Sequence, residues 1–337
     1  MKKLRIGFLS TANIGRTNWK AIATTRNCVV AAVASRDLPR SRKFIAECQR
    51  ETPLGYEPEA FGSYEELIAS KDVDAVYVPL PTALRKPLVI RAANAGKHVI
   101  CEKPCAVGVS ALEAMTAACK KNRVQFMDGV MFMHHPRQAQ VREILDDGKA
   151  LGRLKRIATH FSFCGTGNFH RANIRVNSAL EPHGCLGDLG WYNIRMALWT
   201  MNWQMPYRVE GRIMTSPKND PRMPLEFSGE LFFDGGVSSG FYCSFLTTFH
   251  QWVDLSGSNG HLYMPGFVRP LKGDIGYKVN NRVVKTDCAW DRQQVNMFEN
   301  FAKQIFSGKL NHDWPAWSLK TQTVVDACFK SALSKLK

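Results

Sequence analysis

The segment GKHVICEKPCAV, Gly96–Val107, places a charged tripeptide directly after a short apolar run. The run Val99–Cys101 is uninterrupted, as is typical of a parallel strand that is covered on both faces of its sheet. Glu102 and Lys103 follow at the carboxyl end of this strand, where open α/β sheets bind their ligands. Pro104 disfavours a helical conformation at Lys103, so the lysine side chain leaves an extended backbone in a fixed direction. A solvent-exposed strand end with a surface ion pair is the alternative for Glu-Lys-Pro taken alone.

Short apolar runs of this kind alternate with amphipathic helical patterns through the first part of the chain. The alternation is typical of a doubly wound α/β domain with a parallel sheet. We therefore predict a dinucleotide-binding Rossmann domain over residues 1–126, with one helix start capped by Ser63 and Glu66. The predicted strands are Leu4–Leu9, Val29–Ser35, Ala75–Val78, His98–Cys101 and Val124–Met127, and the predicted helices are Ile14–Thr24, Arg40–Gln49, Tyr64–Ser70, Leu84–Ala95 and Val109–Asn122.

The pattern changes after Met127. A helical pattern at Pro136–Asp146 leads to a long strand within residues 153–164, a loop, and the helix-forming segment GDLGWYNIRMALWTM. Alternating strands with turn signals such as FDGG and GSNG follow. We predict that residues 127–337 form a substrate-binding α+β domain on a largely antiparallel open sheet. Its later strands are predicted at Arg208–Met214, Phe227–Phe233, Val237–Phe245 and Gln251–Ser256, and two closing helices at Asp291–Phe306 and Trp317–Lys335.

The composition describes a globular protein with an unusual excess of positive charge. The 337 residues include 45 basic and 29 acidic side chains, for a formal net charge of +16. Such an excess favours anionic ligands, and nucleic acid has to be considered. However, the basic residues are scattered, with no run of five and no zinc-finger spacing. We therefore expect no nucleic-acid partner, and cofactor phosphates explain part of the charge.

The cysteines indicate a reducing compartment. Ten cysteines occur without any C-x-x-C pair, and several lie in apolar runs where a free thiol behaves as a small hydrophobic group. We therefore expect a cytoplasmic protein. The N-terminal MKKLRIGFLS has too short an apolar core for a signal peptide. No stretch approaches the roughly 20 apolar residues of a membrane span, so we expect no membrane association.

The segment GFLSTANIG, Gly7–Gly15, joins the first predicted strand to the first helix. A dinucleotide site needs a tight turn, a backbone that pyrophosphate can approach and a helix N-terminus directed at it. Small residues replace two glycines of the usual G-x-G-x-x-G pattern, and only Gly15 remains. Small side chains still permit the approach, although a plain strand-turn-helix explains the segment about as well. The predicted cofactor-binding residues of this turn are Ser10, Thr11, Ala12, Asn13 and Ile14.

The end of the second predicted strand indicates which nicotinamide dinucleotide is preferred. An Asp or Glu at this point would bind the ribose hydroxyls of NAD. The chain instead has Ser35 and Arg36, and a hydroxyl and a guanidinium suit a 2′-phosphate. We therefore predict NADP, with NAD still possible, and expect Asp37 to cap the next helix. A surface arginine at a strand end is the alternative.

A proline-containing loop leaves the strand at Ala75–Val78. Pro79 and Pro81 make it rigid at the carboxyl edge of the sheet, close to where the ligand of the first strand would lie. Thr82 is expected to cap the helix that follows. We predict that the cofactor contacts Pro79, Leu80, Pro81 and Thr82, although a structural turn explains the prolines equally well.

These motifs together resemble one protein family. The N-terminal strand-turn-helix is followed by VPLPT, EKP and GDLGWY, in an order and spacing similar to the glucose-fructose oxidoreductase and inositol dehydrogenase (Gfo/Idh/MocA) family. The likeness covers nearly the whole chain, and four motifs in register are far more specific than any one. The segment MDGVMFMHHPR, residues 127–137, is similar to the branch of dimeric dihydrodiol dehydrogenases and NADP-dependent sugar dehydrogenases.

The resemblance implies an enzyme and a set of site residues. It implies that Glu102 and Lys103 contact the cofactor, with Lys103 beside the nicotinamide and the substrate oxygen. It further implies that Asp188 and Tyr192 face this lysine from the second domain. The expected substrate is carbohydrate-like, and a homodimer through the exposed face of the second sheet is expected. Met131 departs from the branch, which can carry a substrate-facing aromatic residue there.

Elementary chemistry supports the same three residues. Asp188 and Tyr192 are four positions apart on a helical pattern and would share one face. A tyrosine becomes a useful acid or base near neutral pH if its pKa falls, and an ammonium such as that of Lys103 favours the phenolate. Asp188 could orient Lys103 or a substrate hydroxyl. Alternatively, Asp188 and Tyr192 satisfy each other in a buried core.

Other residues of this region are weaker candidates. His134 and His135 are adjacent, so on a helix they would point about 100° apart, and no third ligand stands at a familiar spacing. We therefore predict no metal site. Met131, Phe163 and His183 are predicted as substrate contacts.

The sequence therefore predicts an NADP-dependent dehydrogenase or reductase that acts on a CH–OH group. Hydride would pass between the nicotinamide and a hydroxyl-bearing carbon of a sugar, a polyol or a cyclic diol. Lys103 and Tyr192 would handle the proton, while the cofactor supplies the hydride chemistry. A non-catalytic NADP-binding sensor is the alternative, and Lys103, Asp188 and Tyr192 argue against it.

Overall fold

The computed structural model describes residues 2–270, 276–286 and 292–336. Apolar runs of the N-terminal part form β1 (Leu4–Leu9), β2 (Cys28–Ala34), β3 (Glu59–Phe61), β4 (Ala75–Val78), β5 (His98–Cys101) and β6 (Phe126–Asp128). The helices between them are α1 (Asn13–Ala23), α2 (Leu38–Glu51), α3 (Tyr64–Ala69), α4 (Thr82–Asn94) and α5 (Val109–Lys121). The strands pair in parallel in the order β3-β2-β1-β4-β5-β6. The predicted parallel Rossmann sheet is confirmed.

Local signals explain where two of these helices begin. Asp37 Oδ1 accepts from the backbone amide of Arg40 at 2.8 Å, so the predicted cap of α2 is confirmed. Ser63 Oγ accepts from the amide of Glu66 at 3.2 Å and caps α3. The Glu66 carboxylate reaches back to the amide of Gly62 rather than to that of Ser63. The predicted capping box is therefore present, with its second bond moved by one residue.

The remaining chain builds a second, larger sheet. Its helices and strands are α6 (Arg137–Asp147), β7 (Leu154–Ser162), α7 (Phe169–Ala172), α8 (Trp191–Thr200), β8 (Arg208–Thr215), β9 (Glu226–Phe233), β10 (Val237–Ser244), β11 (His250–Gly257), β12 (His261–Pro265), β13 (Tyr277–Val279), β14 (Arg282–Val284), α9 (Arg292–Phe306) and α10 (Asp313–Leu333). Short 3₁₀ turns lie at Met131–His134, Ile174–Val176 and Asp234–Gly236, and a π-helical turn at Leu186–Gly190.

Eight strands of this second part form one mixed sheet. Their order is β14-β13-β12-β11-β7-β10-β9-β8, and every pairing is antiparallel except that of β7 with β10. Residues along β9 alternate between buried and partly exposed, and Phe227, Leu231 and Phe233 lie on the buried face. The predicted α+β architecture on a largely antiparallel sheet is confirmed.

The described chain divides into two compact units. The first comprises residues 2–106, 110–134 and 292–318, and the second 107–109, 135–270, 276–286 and 319–336. This grouping differs from the predicted boundary at 126/127, because α9 belongs to the first unit. Its apolar face, with Val295, Phe298 and Phe301, joins the buried cluster that includes Ile6 and Val30 of β1 and β2. Asp291, at the predicted start of this helix, lies outside the described residues.

Candidate active site

The turn after β1 is closed by a serine hydroxyl. Ser10, at the first glycine position of the dinucleotide pattern, has φ = 144°, a backbone region that side chains rarely adopt. Its Oγ donates to the carbonyl of Pro79 at 3.3 Å and accepts from the amide of Ala12 at 3.1 Å. These two bonds hold the conformation for which a glycine would otherwise be required.

The start of α1 leaves its first backbone amides without a side-chain cap among the described residues. Ala12 is the N-cap residue. Asn13 and Ile14 in the first turn are exposed, and the first turn carries no acidic residue. Gly15 packs closely, since a Cβ there would lie 3.1 Å from the Phe44 ring. Uncapped amides at a helix N-terminus bind phosphate groups, so the predicted contacts of this turn fit a pyrophosphate.

The loop after β2 and the first turn of α2 each carry one exposed guanidinium group. The predicted ligand Ser35 is buried, and its Oγ donates to the carbonyl of Asp37 at 2.7 Å, so its single proton is engaged within the loop. Arg36 is exposed, as is Arg40 one turn into α2. Burial raises the pKa of Tyr64, and the charges of Arg36 and Arg40 nearby oppose this rise. Arg40 was not predicted, although its position just after the capping aspartate is a usable signal.

A buried arginine ties the proline loop to the Glu-Lys-Pro segment. Arg85 of α4 donates from Nε to the carbonyl of Leu80 at 2.6 Å, and from Nη1 to the carbonyls of Glu102 and Pro104. The expected cap by Thr82 is wrong: α4 begins at Thr82, Pro81 precedes it, and Thr82 Oγ1 donates to the carbonyl of Pro104 at 3.3 Å. Arg85 thus fixes two ligand loops of the same sheet edge.

The carboxylate of Glu102 is buried at the end of β5. Its Oε1 accepts from the hydroxyl of Tyr77 at 2.6 Å, and its Oε2 from the backbone amide of Lys103 at 3.2 Å. The pKa of Tyr77 is raised well above its usual value by burial and by Glu102, and the side chain of Asn18 in α1 opposes this rise. A Cβ at Gly129 would lie 3.1 Å from this carboxylate. Glu102 therefore anchors the strand end that presents the partly exposed Lys103.

The second unit brings Asp188, Tyr192 and an arginine together. Asp188 lies in the π-helical turn and Tyr192 in the first turn of α8, so the one-face argument, which assumed a continuous α-helix, does not apply directly. Arg175 Nε donates to Asp188 Oδ2 at 2.9 Å. Tyr192 is buried, and its ring packs on that of Phe161 at 5.7 Å. Arg175 lies outside the GDLGWY motif, 13 residues before Asp188 in a separate turn, which is why the motif did not reveal it.

The weaker substrate candidates occupy packed positions. Met131 packs against the buried cluster of the first unit. Phe163 contacts the ring of Phe245 at 5.1 Å. His183 is buried, its Nε2 lies 3.5 Å from Asp326 Oδ1, and burial lowers its pKa while Asp326 opposes this shift. A role in substrate contact stays a prediction for all three.

The described residues contain neither a metal-binding cluster nor a membrane-spanning helix. No group of three or more His, Cys, Asp or Glu side chains there is arranged to hold a metal ion. His134 instead hydrogen-bonds to Asn300, and His135 is buried next to Arg137. No helix among these residues is both long and apolar enough to cross a membrane.

The fold and the strand-end residues define a class of protein. A parallel sheet with an uncapped first helix and charged groups at its carboxyl edge is that of a dinucleotide-binding oxidoreductase. Residues 4–130 match the family model described as the oxidoreductase family with an NAD-binding Rossmann fold. Residues 138–263 match the GFO/IDH/MocA C-terminal domain. The chain belongs to the Gfo/Idh/MocA oxidoreductase family, and its first unit contains the NAD(P)-binding Rossmann fold.

Relatives of known name match from about two thirds to nearly all of this chain. A D-xylose 1-dehydrogenase (NADP(+)) of Haloferax volcanii is 29% identical over 332 residues, covering 98% of this chain and 97% of the relative. A trans-1,2-dihydrobenzene-1,2-diol dehydrogenase of Bos taurus is 30% identical over 68% of this chain and 64% of the relative. A 3-ketoreductase of Actinomadura kijaniata, solved with NADP and TDP-benzene, superposes with a TM-score of 0.84 at 25% identity over 98% of both chains. These relatives favour the catalytic interpretation over the non-catalytic sensor.

Proposed function

We propose that this protein is an NADP-dependent dehydrogenase or reductase that acts on a CH–OH group of a sugar, a polyol or a cyclic diol. The single observation that carries the proposal is the lysine of Glu-Lys-Pro, presented at the carboxyl edge of a Rossmann sheet by a buried, hydrogen-bonded glutamate. The names of the relatives support it, because they include an NADP-dependent xylose dehydrogenase and a dihydrodiol dehydrogenase.

The residues present fit NADP. The uncapped amides of α1 suit the pyrophosphate, and Gly15 allows close packing behind them. Arg36 and Arg40 supply positive charge where a 2′-phosphate would lie, and the loop contains no acidic side chain except Asp37, which caps α2. The Actinomadura ketoreductase was solved with NADP. We therefore place NADP ahead of NAD.

In this proposal each side chain of the site has a separate role. Bound NADP supplies the hydride chemistry. Lys103 places its ammonium against the substrate oxygen and stabilises negative charge there. Tyr192 gives or takes the proton of that oxygen through its phenol, and Asp188 fixes the groups around it. Glu102, Tyr77 and Arg85 do no chemistry but hold the strand end in place.

Solved variants of the Actinomadura ketoreductase replace one lysine and one tyrosine, the same residue types as Lys103 and Tyr192. This agreement in residue type supports the assignment of the proton chemistry to these two side chains.

A substrate panel tests the proposal. Purified protein with NADP is offered pentoses, hexoses, polyols and cyclic diols, and with NADPH the corresponding carbonyl compounds, while the nicotinamide absorbance is followed. We expect turnover with at least one class, and the Lys103→Met variant provides the blank. Tight NADP binding without turnover of any compound would instead favour the sensor.

We also propose a homodimer through the outer face of the second sheet, in a cytoplasmic protein. Outward positions of four adjacent strands carry Tyr242, His160, Trp252 and Tyr263, whose successive ring centroids lie 5.1, 5.9 and 6.4 Å apart. A row of partly exposed aromatic side chains is typical of an interface. Light scattering of the native protein tests the dimer.

The nine described cysteines are free thiols, which supports a reducing compartment.

A further inference from the structure

An ion pair in the second unit connects the predicted catalytic segment to the loop after β7. Arg175 Nε donates to Asp188 Oδ2 at 2.9 Å. The Asp188 side chain is 13% exposed and that of Arg175 is 43% exposed. The Asp188 carboxylate side chain is therefore largely buried, whereas a substantial part of the Arg175 side chain remains accessible to solvent.

Arg175 is held at both ends. It lies in the 3₁₀ turn Ile174–Val176, and its backbone amide donates to Asn173 Oδ1 at 3.0 Å. Its guanidinium is fixed by Asp188 through Nε. A long side chain restrained in this way loses little further conformational entropy when it binds a ligand. The residue is therefore prepared for recognition rather than left to sample many rotamers.

The remaining donors of Arg175 are available. Among the described residues, Nε is the only guanidinium nitrogen of Arg175 that has a hydrogen-bond partner, so Nη1 and Nη2 keep their protons for another acceptor. The planar guanidinium presents these two nitrogens as a fork that matches two neighbouring oxygen atoms. A surface arginine without such restraint would not define a direction for this fork.

The surroundings of Arg175 include the predicted proton-transfer residue. The charge of Asp188 raises the pKa of Arg175, with smaller contributions from Glu181 and Tyr192. Arg175 therefore remains a cation at every working pH, and Tyr192 lies within electrostatic range of it. Asp188, which holds the guanidinium, precedes Tyr192 by four residues, so the arginine and the proposed proton-transfer residue belong to one part of the second unit.

We infer that Arg175 is a specificity-determining residue whose two Nη atoms donate to a pair of oxygens on the substrate, either vicinal hydroxyls or a carboxylate, while Asp188 holds the guanidinium in place. The inference rests on the proposed function, since Tyr192 marks the reacting end of the substrate. Asp188 then acts through Arg175 and is a positioning residue. Arg175 selects substrates that carry two neighbouring oxygen atoms beside the carbon that reacts.

Three variants test the inference. Arg175→Met removes the fork, Arg175→Lys keeps the charge but not the paired geometry, and Arg171→Met removes an exposed arginine of the same loop as a matched control. Steady-state kinetics with NADP and D-xylose test the recognition of neutral vicinal hydroxyls. Calorimetric titration of D-xylonate into the protein–NADP complex tests the recognition of a carboxylate and requires no turnover. NADP affinity is measured for each variant.

We expect Arg175→Met to raise the KM for D-xylose or the dissociation constant of D-xylonate by about tenfold or more. Its NADP affinity should be unchanged. Arg171→Met should behave like the unmodified protein. An increase in KM with little change in kcat would show that Arg175 contributes to substrate binding rather than to the chemical step. If vicinal hydroxyls are the ligand, Arg175→Lys resembles Arg175→Met for D-xylose. If a carboxylate is the ligand, Arg175→Lys retains part of the affinity for D-xylonate.

The inference is overturned if Arg175→Met leaves both probes unaffected, or if it weakens NADP binding and thermal stability in the same proportion, as a purely structural role would. It is also overturned if the unmodified protein binds neither probe. The proposed function fails separately, when no compound of the panel is turned over although D-xylonate binding still depends on Arg175.

Discussion

The hydroxyl of Tyr77 donates to Glu102 Oε1 at 2.6 Å, in the interior between β4 and the carboxyl end of β5. The side chain of Asn18 in α1 opposes the rise that burial and Glu102 cause in the pKa of this phenol. The buried Tyr77–Glu102 bond thus joins the central strand β4 to the residue that precedes Lys103. The charged end of the apolar strand β5 is therefore held in place by a buried hydrogen bond.

The Tyr77→Phe variant should be less stable while keeping its fold. It removes a donor from a buried carboxylate and should lower the free energy of unfolding by roughly 1.5 to 3 kcal/mol. Urea titration measures this difference. Tyr207→Phe is the matched control, because Tyr207 is 68% exposed and should change stability by less than about 0.5 kcal/mol. Equal effects of the two variants would contradict a stabilising role for the Tyr77–Glu102 bond.

The cofactor preference should depend on the two arginines after β2. Arg36→Ala and Arg40→Ala should each weaken NADP binding by about tenfold or more and leave NAD binding almost unchanged, because a charge-assisted contact to the 2′-phosphate is lost. Fluorescence titration with both cofactors measures this. Arg42→Ala, an exposed arginine on the same helix, is the control. NAD bound as tightly as NADP by the unmodified protein would rule out the assignment.

Replacement of the proposed proton-transfer groups should slow turnover without loss of NADP. Tyr192→Phe and Lys103→Met should each reduce kcat by roughly 10²- to 10⁴-fold, since proton transfer and charge stabilisation depend on these groups. NADP affinity should stay within a few-fold, as the phosphates are held elsewhere. Lys86→Met, at an exposed position of α4, should retain activity. Near-normal turnover in Tyr192→Phe would assign the proton to another group.

The turn after β1 predicts an order among variants of Ser10. Ser10→Ala loses both hydroxyl bonds and keeps the unfavourable φ of 144°, whereas Ser10→Gly loses the same bonds but adopts this φ readily. The glycine variant should therefore be more stable than the alanine variant by about 1 to 2 kcal/mol. Paired urea titrations measure the difference. A more stable alanine variant would be inconsistent with strain at this position.

Acid should destabilise the protein through His135. Burial lowers the pKa of this histidine to about 4, and its Nδ1 accepts from the amide of Arg137 at 3.2 Å. An unfolded histidine has a pKa of about 6.5, so between the two values the unfolded state binds a proton that the folded state does not. The free energy of unfolding should thus fall as the pH decreases from about 6.5 to about 4, by up to roughly 3 kcal/mol. His135→Asn, which keeps an acceptor, should show a shallower pH dependence in denaturant titrations, and identical slopes would contradict this.

The sequence predicted those features that short segments determine. The apolar run before Glu102 requires a strand covered on both faces, and a parallel sheet places its end among the ligand loops. Asp37 and Ser63 cap helices through bonds that span only three residues, so their roles were visible in the local pattern. The fold class followed from the repetition of such segments.

Partners that meet through the tertiary fold were not predictable in the same way. Arg85 bonds to carbonyls far along the chain, and Arg175 pairs with an aspartate across a loop of irregular structure. Neither residue belongs to a motif. The packing of α9 against the first unit was also missed, because an amphipathic helix does not reveal which core its apolar face joins.

The single parallel pairing of the second sheet bears on the order in which the chain folds. β8, β9 and β10 follow one another and pair as neighbours, so each of these contacts closes a short loop. β7 pairs with β10 and β11, so the chain between the end of β7 at Ser162 and the start of β8 at Arg208 stays looped out until β7 docks. The three-stranded unit β8–β10 should therefore form first, and β7 should pair with it afterwards. Arg175, Asp188 and Tyr192 all lie in the looped stretch, so the groups assigned to catalysis and recognition should be among the last to reach their native positions during folding.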